Sequence, residues 1–354
     1  MRMNKFTISR RHGFSLIELM VAMGILSVLM LMMTVLLDQV QKSWRYSENR
    51  IGQFREARVA FDIMTKNIGQ AAMNTYYDLI DTDEDNSPDE YVKTSELHFA
   101  TMEASKIGGS TDATLTGHAI FFQAPLGFST RFRNLNNLFN GRGYFVAHGS
   151  DIRFRPSFVK SEPKYRYRLM EFRPPAESNQ IFEDGIEERE ADQPQAFTKW
   201  YNQTGSAGDG SFEEFLNPLA ENIVTLVIAP RDSIEVADGD RKETHSEIAP
   251  DYFFDSNTII KKYAQQVPPL VRVTMVALDE SNAVQLQAQS GAEQPSEVVS
   301  ALNGLFKKTD EYDADVIKMV DALNEERINH KVFSTLVMLR SAKWSTFEGN
   351  NTQQ

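Results

Sequence analysis

Residues 12–24 read His12-Gly13-Phe14-Ser15-Leu16-Ile17-Glu18-Leu19-Met20-Val21-Ala22-Met23-Gly24, and apolar side chains predominate from there to Leu37. Within residues 14–37 the sequence holds a single charged side chain, Glu18. A helix of this length extends about 36 Å, which exceeds the roughly 30 Å of a bilayer core. The run is also longer than the apolar stretch of an ordinary secretory signal. We therefore predict a membrane-spanning helix over residues 14–37.

The segment before the apolar run is basic. Residues 1–13 carry Arg2, Lys5, Arg10 and Arg11 and no acidic residue. Because cationic flanks stay on the cytoplasmic side of a membrane, we expect the rest of the chain to lie across it.

Glu18 is out of place in an apolar helix. A carboxylate costs about 2.5 kcal/mol or more at the bilayer centre, and such a residue generally has a functional partner. Glu18 lies about 6 Å along the helix from Phe14. Cleavage after Gly13 would create an amino group near the same depth, with which Glu18 of a neighbouring subunit can pair. The alternative is an interfacial glutamate on a plain signal anchor.

The string Gly13-Phe14-Ser15-Leu16-Ile17-Glu18 resembles the cleavage and N-methylation motif of type IV prepilins and pseudopilins. In that family a membrane aspartyl peptidase cuts after the glycine and methylates the new terminal phenylalanine. The glutamate guides docking into a growing filament. The resemblance therefore implies processing at Gly13 and Phe14 and an assembly role for Glu18. Unlike major pilins, this chain has no proline in the membrane half of the helix, so no proline kinks it.

The same resemblance implies partners and a location. The partners are a prepilin peptidase/N-methyltransferase, other pseudopilin-like subunits, an inner-membrane assembly platform and membrane lipid. We expect a single-pass inner-membrane protein with a cytoplasmic N-terminus and a periplasmic head, which also enters an envelope filament if it is assembled. The formal net charge is −12, or −16 without the leader, which disfavours nucleic acid as a partner. The chain has no cysteine, so its sequence favours neither an oxidising nor a reducing compartment.

An apolar stripe continues the helix beyond the membrane. Its members recur at spacings of three, four or seven, and charged residues occupy the other faces. They are Trp44, Ile51, Phe54, Phe61, Met64, Ile68 and Ala72. The stripe predicts a helix to about residue 74 that packs on a sheet or on other helices; an isolated coiled-coil stalk is the alternative.

The residues after the helix are sufficient for a large head. We predict strands at residues 95–100, 118–124, 143–147, 165–172, 222–229, 270–278 and 332–340, and a helix at 314–325. Polar stretches at 182–196, 204–210, 237–247 and 283–295 indicate exposed loops. The expected regions are a leader (1–13), an N-terminal helix (14–74, transmembrane over 14–37), a head (75–348) and a disordered tail (349–354). The fold class is α+β and pilin-like, with a long helical spine packed on a mainly antiparallel β-sheet head.

Blocks of the head carry a narrower resemblance. They include the segments that begin at Ser95, His118, Ala220 and Pro268, and the segment from Val332 to Trp344. Together they are similar to a pseudopilin-like family named Verru_Chthon cassette protein C. Its layout is similar to J-type minor pseudopilins of type II secretion and to W-type minor pilins.

Candidate catalytic residues are sparse. His98 and His118 lie in predicted strands, where a hydrogen-bonded structural histidine is expected more often than a ligand. Ser157 and Lys160 match a Ser-x-x-Lys nucleophile pattern, but its companion elements are missing from the sequence. We therefore expect no catalytic residue.

An acidic loop is the remaining polar cluster. Asp81, Asp83, Asp85 and Asp89 stand at positions 1, 3, 5 and 9, where alternate carboxylates can converge on Ca²⁺. Position 6 is Asn86 instead of glycine, and position 12 lacks the bidentate glutamate. The loop therefore predicts either a calcium site or a solvated acidic turn.

These patterns together favour a non-enzymatic minor pseudopilin-like subunit of a type II secretion-like or type IV pilus-like assembly, with the filament tip as one position for it. Two alternatives remain. One is an adhesin-like minor pilin whose head binds an external ligand, and the other is an anchored envelope enzyme. Exposed aromatic clusters would favour the first, and a cleft with converging titratable groups would favour the second.

Overall fold

The structure is a computed structural model that describes residues 15–80, 90–107, 113–132, 135–179, 181, 200–201, 212–232, 248–257 and 264–342. The chain divides into two units, residues 1–52 and 53–354. Helix α1, Leu16–Gln53, makes up the described part of the first unit and ends one residue into the second.

The second unit contains a head of helices and strands. Its helices are α2 (Arg55–Ile68), α3 (Glu280–Ser290), α4 (Ser296–Leu302) and α5 (Tyr312–Glu325). Its strands are β1 (Tyr76–Ile80), β2 (Glu90–Thr94), β3 (Ala100–Glu103), β4 (Thr114–Phe128), β5 (Asn136–Ser150), β6 (Tyr165–Phe172), β7 (Leu216–Glu221), β8 (Ile223–Arg231), β9 (Phe254–Asp255), β10 (Leu270–Leu278) and β11 (His330–Met338). Short 3-10 turns lie at Ala104–Lys106, Ala176–Ser178, Phe212–Phe215 and Thr309–Glu311.

The strands form three antiparallel sheets. β1 and β2 make a two-stranded ribbon, and six strands form a sheet in the order β7-β6-β5-β4-β3-β9. The third sheet has the order β11-β10-β8. An apolar N-terminal helix followed by an antiparallel-rich head confirms the predicted α+β class and is consistent with a pilin-like layout.

Both faces of the six-stranded sheet are buried, which explains why consecutive residues at the centre of β4 are apolar and buried. Successive strand residues point to opposite faces. On β4, Ile120 and Phe122 join a cluster that includes α2, whereas Phe121 joins a second cluster on the other face. The second cluster contains stacked aromatic pairs: Phe121 stacks on Tyr201 at 4.4 Å, and Phe172 stacks on Phe212 at 5.2 Å.

Helix α2 covers the first of these faces. Its buried residues are Ala57, Ala60, Phe61, Met64 and Ile68, and it contacts β4, β7, β10 and β11. The burial of Phe61, Met64 and Ile68 confirms that part of the predicted stripe. The side chains of residues 43–53, which include the outer part of the stripe, lie outside the described residues.

The two larger sheets meet where β4 approaches β8. Gly117 has a φ of +70°, and a Cβ there would lie 2.6 Å from the carbonyl oxygen of Leu226, so only glycine fits. A single residue, Asn222, separates β7 in the six-stranded sheet from β8 in the three-stranded sheet. Its φ of +61° lies in the left-handed region that asparagine tolerates.

The helical bounds differ from the prediction of one helix to residue 74. The structure has two helices that meet at Phe54, whose φ and ψ are −96° and 6°. The last helical residue is Ile68, because the backbone N–H of Ala72 already donates to the carbonyl of Gln123 on β4, at 3.0 Å. After the helix ends, the backbone N–H of Ala72 thus bonds to a strand of the sheet instead of to the preceding helical turn.

The strand predicted at residues 95–100 is wrong except at its last residue, Ala100. Backbone N–H groups there bond to side chains instead of to a strand. The N–H of Leu97 donates to Ser95 Oγ, that of His98 to Gln123 Oε1 and that of Phe99 to Ser256 Oγ. Leu97 and Phe99 are nevertheless buried.

The polar stretch at residues 283–295, predicted as a loop, contains most of helix α3. Asp279 caps it by accepting the N–H of Ser281 at 3.1 Å, and Gly291 ends it with a φ of +63°. Ala283 and Leu286 are its buried side chains. The other predicted strands and the helix at 314–325 are confirmed with shifts of a few residues at their ends, except that β4 and β5 are longer than predicted. The remaining predicted loops and the tail lie outside the described residues.

Candidate functional site: the N-terminal membrane segment

Helix α1 exposes its apolar surface. Residues Leu16–Lys42 have a mean hydropathy of 2.5, and none of them is buried. Within the described part of the chain, this is the one helix long and apolar enough to cross a membrane. A helix that is apolar on all sides suits lipid better than water.

The first turn of α1 is closed by a reciprocal cap between Ser15 and Glu18. The backbone N–H of Ser15 donates to Glu18 Oε2 at 3.1 Å, and the backbone N–H of Glu18 donates to Ser15 Oγ at 3.3 Å. The hydroxyl of Ser15 also donates to the same carboxylate oxygen, at 3.2 Å. This is a capping box, which satisfies backbone donors at a helix start. Glu18 is thus held next to Ser15 and remains exposed.

Two hydroxyl side chains in the middle of the span, those of Ser27 and Thr34, make hydrogen bonds within the helix. Ser27 donates to the carbonyl of Met23 and Thr34 to that of Met30, each at 2.8 Å. Hydroxyl groups that bond to the preceding turn do not need water, so they are compatible with lipid. Asp38 and Lys42, at the far end of the helix segment, pair with each other at 2.8 Å. Glu18 is the one ionisable side chain between residues 16 and 37, and its carboxylate is exposed to a further partner.

Of the three predicted processing and assembly residues, the structure describes Glu18. Gly13 and Phe14 lie outside the described residues, so their roles stay predictions. Glu18 lies in the first turn of an exposed apolar helix, and its assembly role stays a prediction.

His98 lies in the head as a structural histidine. The Nε1–H of Trp200 donates to its Nδ1 at 3.1 Å, so its Nε2 carries a proton and donates to Asp255 Oδ1 at 2.7 Å. Burial alone would raise the pKa of Asp255, but the hydrogen bonds that its carboxylate accepts from His98 and from the backbone N–H of Asn257 hold the pKa below its usual value. Both ring nitrogens of His98 therefore have protein partners.

His118 is also bonded within the core. Its Nδ1 accepts the backbone N–H of Ile228 at 3.2 Å, and its ring packs on Tyr252 at 4.7 Å. Burial lowers the pKa of His118 to about 4, against the opposing effect of a backbone hydrogen bond with Phe306. The imidazole is therefore neutral at physiological pH and joins β4 to β8.

A cleft of about 520 Å³ lies beside the β5–β6 hairpin. Phe145, Ala147, Met170 and Leu216 are among its apolar lining residues. Its charged residues are already paired with other groups. Arg153 bonds Glu213 at 2.8 Å, and Arg168 bonds Glu221 at 3.1 Å and the carbonyl of Gly149 at 2.9 Å.

The cleft lacks a described nucleophile and base in contact. Its histidine, His148, has a pKa lowered to about 4 by burial and then by Arg168 and Arg166. Ser150 Oγ accepts the N–H of Ile152, and no bond in the described part of the chain joins it to His148. Ser157 and Lys160 are exposed and outside this cleft.

The predicted calcium ligands lie outside the described residues, between β1 and β2. Asp81, Asp83, Asp85 and Asp89 therefore stay a prediction. Among the described residues no group of three or more metal-binding side chains converges.

A buried polar cluster under α2 was not predicted. The amide of Asn67 donates to the hydroxyl of Tyr144, which donates to Glu171, each at 2.8 Å. Arg142 Nη1 lies 3.7 Å from the same carboxylate. Burial and the charge of Glu171 raise the pKa of Tyr144 far above its usual value. The cluster ties α2 to the sheet and has a structural role.

The comparisons with known proteins agree with the N-terminal geometry. Residues 8–34 match the family model described as the prokaryotic N-terminal methylation motif. No curated protein and no solved structure matches the chain, so the similarity to Verru_Chthon cassette protein C stays a prediction. The matched motif implies processing by a prepilin peptidase and assembly with other pilins, and with α1 it fits a single-pass inner-membrane anchor. Through this segment, residues 8–34, the chain carries the N-terminal methylation motif that type IV prepilins and pseudopilins share.

Proposed function

We propose that this chain is a non-enzymatic minor subunit, at or next to the tip of a type II secretion-like or type IV pilus-like assembly. A prepilin peptidase/N-methyltransferase cuts it after Gly13 and methylates Phe14. One observation carries the proposal: a prepilin-type motif runs directly into an exposed apolar helix with Glu18 in its first turn.

The size of the head supports a minor role. The second unit covers residues 53–354, which is most of the chain. A head of this size would crowd a tightly packed helical filament, whereas a tip position has room for it. Other pseudopilin-like subunits and an inner-membrane assembly platform are the proposed partners, and lipid surrounds α1.

The state of the titratable groups supports the absence of catalysis. The ring of His98 is bonded at both nitrogens, and His118 and His148 have pKa values lowered to about 4. The charged residues that line the cleft are paired. Groups in this state hold the core together, and none of them is poised to exchange a proton with a substrate near neutral pH.

Processing tests the proposal directly. Intact-mass analysis of protein purified from its native membrane should show a chain that begins at Phe14 with a methylated amine. Gly13→Val should leave residues 1–13 attached, because the peptidase must accept the residue before the cut. A wild-type protein that begins at Met1, or beyond Leu37, would contradict the proposal.

The adhesin-like minor pilin is a second candidate, supported by the cleft. Its apolar lining and the exposed Ile152 at its edge suit an apolar group of an external ligand. Ile152→Asp should abolish surface attachment if the head is an adhesin, with processing and assembly unchanged. If the chain is only an assembly subunit, the same substitution should change none of these properties.

A further inference from the structure

The head guards most of its sheet edges. An exposed strand edge is a template for pairing with another chain, and proteins block it with short strands, prolines and bulges. β9 has two residues. β7 has six, contains Pro218, and shifts register between Leu169 and Met170 of its partner strand.

The edge of β8 is also in use. Ile228 donates its backbone N–H to His118 on β4, at 3.2 Å. The carbonyl of Val224 accepts the hydroxyl of Thr116 at 3.1 Å. Side chains of the six-stranded sheet thus occupy backbone groups along this strand.

β11 has none of these protections. Its nine residues pair with β10 in an unbroken register from His330↔Leu278 to Met338↔Leu270. The strand contains neither proline nor glycine. In an antiparallel pair, alternate backbone groups point away from the partner strand. Among the described residues, no strand or side chain bonds to that outer row.

Lys331, the one lysine in β11, does not guard the edge. Its ammonium lies 5.5 Å from the ring of Phe333 and 6.0 Å from that of Phe54. Phe333 in turn packs on Phe61 of α2, at 5.7 Å. The side chain therefore turns toward the α2 face instead of blocking the approach of another strand.

The opposite face of β11 is apolar and basic. Leu336 and Met338 are 38% and 69% exposed. Arg272 is the β10 partner of Leu336, and its guanidinium lies 5.1 Å from the ring of Tyr312 with no described carboxylate bound. Arg340 follows the strand and is exposed, and residues 328–342 contain no acidic residue.

We propose that the edge of β11 is a docking site for an extended, acidic strand of a different subunit. The open backbone groups require a strand, because a helix has already satisfied its own. The cations around Leu336 and Met338 require carboxylates on that strand, alternating with apolar side chains. A second copy of β11 offers no acid and would bring like charges together. The inference rests on the proposed function, since it names how this subunit binds a neighbour in the assembly.

Photo-cross-linking in native membranes tests this docking site in the full-length chain. A photoreactive residue at position 336 should give one defined adduct, whose sequenced peptide comes from a different subunit and contains Asp or Glu. In the same chain, Met338→Glu should lower the yield about fivefold, because it places like charges on adjacent strands. Met338→Lys should keep the yield. Ile317, which is 60% exposed on α5, is the matched position for a control cross-linker and should give no such adduct.

Cross-linkers at Met23 and Met30 in α1 separate the two proposals. Adducts from α1 without any adduct from position 336 would overturn the docking site and leave the assembly role standing. The absence of both would overturn both. An adduct from position 336 with a second copy of this chain, with a peptide that lacks acids, or with equal yields for Met338→Glu and Met338→Lys would also overturn the docking site.

Discussion

Helices α1 and α2 are separated only by Phe54, yet the apolar side chains of α1 are exposed and those of the α2 stripe are buried. No residue of Leu16–Lys42 in α1 is buried, whereas Phe61, Met64 and Ile68 in α2 are at most 6% exposed. The spacing explains the difference: α1 is apolar on all sides and α2 carries one stripe. Apolar content alone therefore does not reveal a helix's surroundings, because the arrangement around its axis decides whether lipid or protein covers it.

The largest effect should come from emptying the α2 interface. Phe61→Ala removes a ring that packs on Phe333 and should lower the free energy of unfolding of the head by about 3–5 kcal/mol. Leu29→Ala in α1 should leave it unchanged, because Leu29 is 56% exposed. Denaturant unfolding of the full chain in detergent, followed by near-ultraviolet circular dichroism, measures both. Equal losses would mean that α1 is packed against protein.

The next largest effect should come from acid, which should destabilise the head and leave α1 unchanged. The pKa of His118 falls from an ordinary 6.5 to about 4 in the folded head. Its contribution to stability is therefore complete above pH 6.5 and is lost as the pH falls toward 4, by roughly 3 kcal/mol at most. Unfolding curves between pH 7 and 4 should show this decline, and His118→Gln should make it shallower, with the rest due to His148, whose pKa is lowered in the same way. The helicity of α1 should not change, and an unchanged slope in His118→Gln would contradict the assignment.

A smaller effect should distinguish capping from assembly at the start of α1. Glu18→Ala should keep normal abundance, cleavage and head melting. It should reduce cross-linking from Met23 to other subunits, because it removes the carboxylate that pairs with the amino group of Phe14 in a neighbouring subunit. Ser15→Ala removes the cap at a cost of about 1 kcal/mol and keeps the carboxylate, so its cross-linking should stay near wild type. If both variants lose cross-links equally, the cap is what assembly needs.

The smallest effect concerns calcium, which should act on the head alone. If Asp81, Asp83, Asp85 and Asp89 bind Ca²⁺, millimolar Ca²⁺ should raise the melting temperature of the head, because a ligand of the native state stabilises it by mass action. The shift should vanish in Asp81→Ala/Asp83→Ala. Calorimetry with Mg²⁺ as the control ion decides it, and no shift means a solvated turn.

Sequence patterns predicted the elements that are buried on both faces or on one stripe. β6 and β10 have the predicted bounds because apolar and aromatic residues predominate in them and almost every position is buried. Helix α3 was missed because its apolar positions are few, although Asp279 and Gly291 mark its two ends. Terminal signals therefore deserve as much weight as periodicity.

The candidate site divides in the same way. Glu18 was found because a charge in an apolar run stands out within one short segment. The pairing of His98 with Asp255 spans 157 positions, and that of Asn67 with Tyr144 spans 77. No local pattern joins residues so far apart, since the sheets alone bring them together.

The single residue between β7 and β8 has a consequence for how the head comes apart. Because Asn222 alone connects β7 to β8, the two strands belong to different sheets but are covalently joined without a loop. If one of these strands detaches from its sheet, it therefore displaces the other strand as well. Strain at one sheet reaches the other within one peptide unit, without a flexible loop to absorb it. The head should therefore melt in one step, and a partly unravelled subunit with one intact sheet should not accumulate in the envelope.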